Sequence, residues 1–340
     1  MAKRIEKWDV LKFVLIFTVV LGHIADYYAA ESQVMQGLYM FIYTFHMPLF
    51  IFVSGLFSKR TVNEFRIDKI FGYIVVYLFL KLLLAVYDFI AKGEFRLTLF
   101  VDGGLPWFML AMFAFPIITR LVRKVKFPVV LIVSIIVALV AGYFRAVGNV
   151  FSISRIIVYF PFFYAGYAAD PRMLKYACDK LWVKVISADI LVVLAIVCFG
   201  FVDKIVFLRP LLTGKHSYYM IEEHFEYAFA LRLLCYVVSA IACFCVMALI
   251  PNHTKLPALK VLGSRTLSVY VFHYILLYIL FNHLHFKEAL AQILPWWALL
   301  VMVPLSFAIT VLLSLNIFYK PLEFMMNLPT TIKQKIKARS

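Results

Sequence analysis

Residues 11–28 read LKFVLIFTVVLGHIADYY, and the length of that run decides the fold. A helix needs about 20 mostly apolar residues to cross the hydrocarbon core of a bilayer. This stretch supplies them, with Lys12 at its start and His23 near its end. Applied outward, the same ruler finds nine further spans, at 38–57, 68–90, 106–122, 127–144, 153–169, 182–201, 228–250, 262–282 and 295–317. The fourth span, 106–122, holds Pro116 and the tenth, 295–317, holds Pro304. Proline is tolerated inside a span when neighbouring helices satisfy the backbone groups it frees. The expected fold is all-α, a polytopic membrane protein of about ten transmembrane helices.

Composition agrees. Of 340 residues 64% are hydrophobic and 15% charged, whereas soluble domains are about 45–50% apolar. The excess apolar surface needs lipid to cover it. The net charge of +16 would suggest nucleic acid in a soluble domain. Here the basic residues lie in short loops between apolar runs, which makes them a topology signal. Lys3, Arg4 and Lys7, then Lys59, Arg60, Arg66 and Lys69, then Arg120, Arg123, Lys124 and Lys126, fall in alternate loops. So do Arg172, Lys175, Lys180 and Lys184, then Lys255, Lys260 and Arg265, and the tail from Lys333 to Arg339. The intervening loops hold only Lys92, Arg96, Arg145, Arg155, Lys204, Arg209, Lys215 and Lys287. The bias puts both termini in the cytoplasm, as an even number of spans requires. The basic N-terminus with no convincing cleavage site reads as the flank of a retained first span. The tail from Lys320 is weakly amphipathic and reads as a solvated cytoplasmic end against anionic lipid. Cys178, Cys198, Cys235, Cys243 and Cys245 show no metal-binding or CxxC spacing and read as packing residues, so no metal is expected.

Ionisable residues within spans are costly and mark function by default. Lys12 and His23 are eleven residues apart, which is three helical turns plus about 20°, so they share one face some 16 Å apart. Asp9 lies near the same stripe, where it can pair with Lys12. A cation at the cytoplasmic surface and an imidazole deeper along one helix suit a long thioester with phosphates at one end and an acyl group at the other. A packing histidine and a snorkelling lysine would look the same in sequence. In the second span His46 lies beside Pro48, whose ring should free a carbonyl near residue 44. Arg66 and Lys69, three apart at the cytoplasmic surface, could grip phosphate. Lys81, Asp88 and Arg232 are charged within or near spans and have no evident role.

These residues resemble a family. The run 44–55, TFHMPLFIFVSG, is similar to the signature of the acyltransferase-3 family. Asp9, Lys12 and Leu21-Gly22-His23 resemble its first helix, with a basic residue eleven positions before an essential histidine. Arg66-Ile67-Asp68-Lys69 resembles its paired-basic motif, with Lys where the family usually carries Arg. Leu105-Pro106-Trp107-Phe108-Met109, the run 159–167 and the run 262–273 resemble further elements in family order. The resemblance implies a ten-helix acyltransferase domain over 1–320, with 321–340 as a basic tail, in a bacterial inner membrane. It implies transfer of an acyl group, usually acetyl, from acetyl-CoA to a hydroxyl of a carbohydrate, free or lipid-linked. On that reading His23 is the catalytic base or a transient acyl acceptor. Asp9 enters the catalytic site mainly as Lys12's partner. Lys12, Arg66 and Lys69 hold the donor's phosphates. His46, Trp107, Arg155, Glu222 and His273 contact the acceptor, with the aromatic and acidic loop 202–227 on the outer side. The alternative is a secondary transporter or lipid-linked sugar flippase, which should show related halves and paired broken helices; the sequence has neither. A scaffold would have no reason to bear intramembrane histidines.

Overall fold

The computed structural model describes residues 6–99, 104–145, 151–284, 286, 288 and 295–338. Lys3, Arg4, Lys287 and Arg339, used above for orientation, lie outside them. All regular structure in the described residues is helical. In lipid the backbone must satisfy its own hydrogen bonds, and a helix does so within one segment.

Each of the ten expected spans is a helix. They are α1 (Glu6–Tyr28), α2 (Gln33–Leu56), α4 (Ile67–Lys92), α5 (Trp107–Val122), α6 (Phe127–Ala141), α7 (Ile153–Ala168), α9 (Leu181–Gly200), α12 (Ala228–Leu249), α14 (Thr266–Tyr278) and α15 (Pro295–Leu313). Between them lie the short helices α3 (Lys59–Asn63), α8 (Pro171–Asp179), α10 (Val202–Ile205), α11 (Arg209–Leu212) and α13 (Pro257–Ser264), and α16 (Asn316–Lys337) ends the chain. Six are long and apolar enough to cross a bilayer unaided: α1, α2, α4, α9, α12 with the 3-10 turns before it, and α14 with the π turn after it. A seventh results if α15 and α16 count as one bent span. At 15 or 16 residues, α5, α6 and α7 reach only about 24 Å, so the bilayer must thin or the flanking residues snorkel around them.

The chain forms two compact units. The first comprises Met1–Val53, Ala169–Leu212 and Ala230–Leu315. Its central helix is α1, against which α13, α14 and α15 pack. The α1–α13 contact is unusually close. A Cβ on Gly263 would fall 1.8 Å from the Asp9 carbonyl oxygen, so only glycine lets α13 cross there. Buried Lys7 donates to the Ile250 carbonyl at 2.7 Å, tying the start of α1 to the end of α12. Phe13 meets Phe307 of α15 edge-on, and Tyr27 stacks on Phe281.

The second unit comprises Ser54–Ala168, Thr213–Phe229 and Asn316–Ser340. The end of α2 meets α7 backbone to backbone, since a Cβ on Gly55 would stand 2.1 Å from the Phe163 carbonyl oxygen. Phe115 of α5 packs on Phe163. Lys81, buried in α4, donates to the Thr98 carbonyl at 2.7 Å, and Tyr77 to that of Leu99. Asp88 pairs with Lys92 at 2.6 Å, one turn on. The tail differs from the solvated end expected for it. It forms α16, packs on α4, and directs Thr330 and Lys333 to the Asp68 carboxylate at 2.9 and 3.3 Å. A buried carboxylate offers those two side chains a better partner than water.

Candidate active site

In the first unit, α1 carries the residues singled out in sequence. At the end that the charges assign to the cytoplasm, Lys12 pairs with Asp9 at 2.9 Å. Beside them is a cavity of about 280 Å³ lined by Glu6, Asp9, Lys260, Val261 and Ser264. Lys260 reaches Glu6 at 2.8 Å. Fourteen residues separate Asp9 from His23, about 21 Å along a helix. Asp9 is therefore Lys12's partner and not a group acting on that imidazole. The stripe joining Lys12 to His23 runs through Ile16 and Val19, both buried.

At the far end His23 meets His273 of α14, with ring centroids 5.2 Å apart, and Tyr274 edge-on at 6.0 Å. His273 is fully buried. Its Nδ1 lies 2.8 Å from the Val269 carbonyl oxygen and 2.9 Å from that of Tyr270. A carbonyl only accepts, so Nδ1 carries the proton and Nε2 holds the lone pair. That buried Nε2 has no hydrogen-bond partner among the described residues. His46, also buried, donates from Nδ1 to the Ile42 carbonyl at 2.9 Å. It stabilises its own helix within the turn that precedes Pro48.

A third group was not anticipated from sequence. Asp26, one turn beyond His23, forms an ion pair with Arg209 of α11. The Arg209 guanidinium lies over the Tyr39 ring at 4.3 Å, Tyr39 stacks on Tyr43 at 3.8 Å, and Tyr43 meets His46 edge-on at 4.4 Å. Gln33 reaches Asp203 at 2.9 Å. The outer segment 203–209 is thereby fastened to the outer ends of α1 and α2. Asp26's place on the His23 stripe was the available signal.

The second unit holds the other candidates. Arg66, at the start of α4, lies 3.5 Å from Asp68, and Lys69 is exposed. Trp107, at the first position of α5, stacks on Tyr159 at 5.4 Å and takes the Arg155 guanidinium at 4.9 Å. Glu222 is exposed, in the 3-10 turns Tyr218–Tyr227, which break at Ile221 and His224. Arg145 covers the Tyr219 ring at 3.8 Å.

Among the candidate spans α1 is the most buried, and it carries a cation at one end and a contact between two imidazoles at the other. The acyltransferase-3 family, described as an acyltransferase domain, matches residues 5–315, and the chain belongs to it. It is accordingly a polytopic membrane acyltransferase. No curated protein and no solved structure matches the chain.

Proposed function

We propose that this enzyme transfers an acyl group, acetyl in particular, from acyl-CoA to a hydroxyl of a cell-envelope carbohydrate in a bacterial inner membrane. The observation that carries the reading is the His23–His273 contact. With Nδ1 of His273 committed to two carbonyls, its Nε2 lone pair is left to receive an N–H of His23 when the two rings turn toward one another. His23 then presents its other nitrogen as a base. The acceptor oxygen attacks the thioester carbonyl carbon as His23 takes the hydroxyl proton. The C–S bond breaks, and the departing sulfur receives that proton, giving an ester and free thiol. The second N–H of the transient His23 imidazolium has the His273 lone pair to meet it, which makes His273 a positioning residue.

Lys12, beside the cavity at the other end of α1, supplies charge for the donor's phosphates. A donor reaching along α1 has to part Ile16 and Val19. Trp107, Arg155 and Glu222 supply the aromatic and charged chemistry with which proteins hold sugars, and His46 belongs to the wall of the first unit.

Purified protein with acetyl-CoA and surface glycan tests the reading. His23→Ala should lower kcat about 10³-fold, within the range of a lost general base, while the folded yield stays normal. His273→Ala should lower kcat about tenfold with the KM for donor unchanged. Wild-type transfer by folded His23→Ala protein would refute the role of the base. Movement of glycan across the membrane without ester formation would favour the flippase alternative.

A further inference from the structure

The second unit sets a second cation, Lys215, near Arg155, and holding a neutral sugar gives no reason for it. Gly214, at φ +62°, turns the chain against the first turns of α7. Its carbonyl accepts from the Ser154 hydroxyl at 2.7 Å, and the α carbon faces Val158 and Tyr159. This sets Lys215 beside Arg155, the residue after Ser154. Arg155 is itself held in place by the Trp107 ring and by the Gly104 carbonyl at 3.3 Å. Lys215 is half-buried, and the charge that acts on it is the Arg155 guanidinium. Burial, and then the adjacent guanidinium, hold its ammonium below the usual lysine range. Two cations drawn together out of water repel one another, and an anion placed against both relieves the repulsion. The charge distribution assigns the start of α7 to the outer side, where the acceptor is met.

We propose that Arg155 and Lys215, floored by Trp107, form a subsite for an anionic oxygen group on the acceptor. The substrate class is then an acidic glycan, whose charge is a phosphate ester of a lipid carrier or a sugar carboxylate. Guanidinium and ammonium both make charge-assisted hydrogen bonds to such oxygens, and Trp107 keeps the guanidinium plane fixed. The assignment rests on the carbohydrate-acylation reading for the ligand's identity, while the anion site stands on its own geometry.

The test uses full-length protein in detergent micelles without acyl donor, titrated calorimetrically with inorganic pyrophosphate, with glucuronate and with glucose. One of the two anions should bind saturably, more weakly as salt rises, and glucose should not compete. The anion that binds more tightly identifies the source of the charge. Lys215→Gln should weaken that binding about tenfold or more, as expected for loss of a hydrogen bond to a charged group. Lys215→Arg should restore it, which separates loss of charge from loss of fold. His23→Ala protein should bind the anion as wild type does, so failure of the acyl-transfer mechanism would leave this result unchanged. Equal affinity of Lys215→Gln and wild type, or glucose binding as tightly as either anion, would overturn the subsite.

Discussion

Helices α1 and α6 are both apolar, and hydropathy alone would rank α6 as the more membrane-like. Their surroundings are opposite. Sixteen of the 23 residues of α1 are buried, against two of the 15 in α6, Val130 and Ala138. Ile132, Val133, Ile136 and Val137 of α6 face outward, as a lipid-contacting surface does. The charged and imidazole side chains follow the enclosure: Lys7, Asp9, Lys12, His23 and Asp26 are all on α1, and α6 has none. Hydropathy measures whether a helix can enter the membrane. What surrounds it there decides whether a polar group on it can be satisfied, and therefore used.

The largest effect expected from disturbing this contrast is at the crossing that encloses the start of α1. Any side chain at Gly263 collides with the Asp9 carbonyl, a backbone atom that cannot turn aside. Gly263→Ala should cost more than about 2 kcal/mol through overpacking, seen as a lower unfolding temperature and reduced folded yield. Gly263→Leu should yield no folded protein. A Gly263→Ala variant as stable as wild type would show that α1 is less tightly enclosed than its geometry indicates.

Next in size is the cation on α1. Lys12→Met should raise the KM for acetyl-CoA about tenfold, the usual worth of a hydrogen bond to a charged group, with kcat unchanged because the interaction holds substrate and transition state alike. It also strips the ion-pair partner from Asp9, whose side chain is only 5% exposed, so some stability is lost with it. Pairing Lys12→Met with Asp9→Asn should recover the stability and leave the KM high. Recovery of both would mean that Lys12 serves the fold alone.

The spans were legible because each depends on a local run of residues, and their ends agree with the helices to within a few positions. Lys12 and His23 were legible because a helix converts eleven residues into one face. The residues that complete their surroundings were not, because they meet across long stretches of chain. Arg209 lies 183 residues beyond Asp26, and Gly214 lies 60 beyond Ser154. Lys333 reaches Asp68 over 265 residues, so the docking of α16 left no local trace in a segment that reads as a solvated tail. The Thr98 carbonyl that Lys81 reaches left no signal either, because it is a main-chain group, which every residue has. Gly55 and Gly263 entered through the family resemblance. Their physical meaning, two backbones in contact, needed the structure.

The smallest expected effect is on α6, and it sharpens the contrast most directly. Ile136 is 53% exposed, so Ile136→Ala exchanges one lipid-facing apolar side chain for a smaller one. Without a packed neighbour there is no cavity to form, and the change in stability should stay within about 0.5 kcal/mol. On α1, Ile16→Ala removes much of the same side chain from a site with 0% exposure and should cost about 2–5 kcal/mol. The pair compares enclosure with side-chain chemistry held nearly constant, read by thermal unfolding of both proteins in one detergent. Equal losses would mean that the exposed face of α6 is covered by something other than lipid.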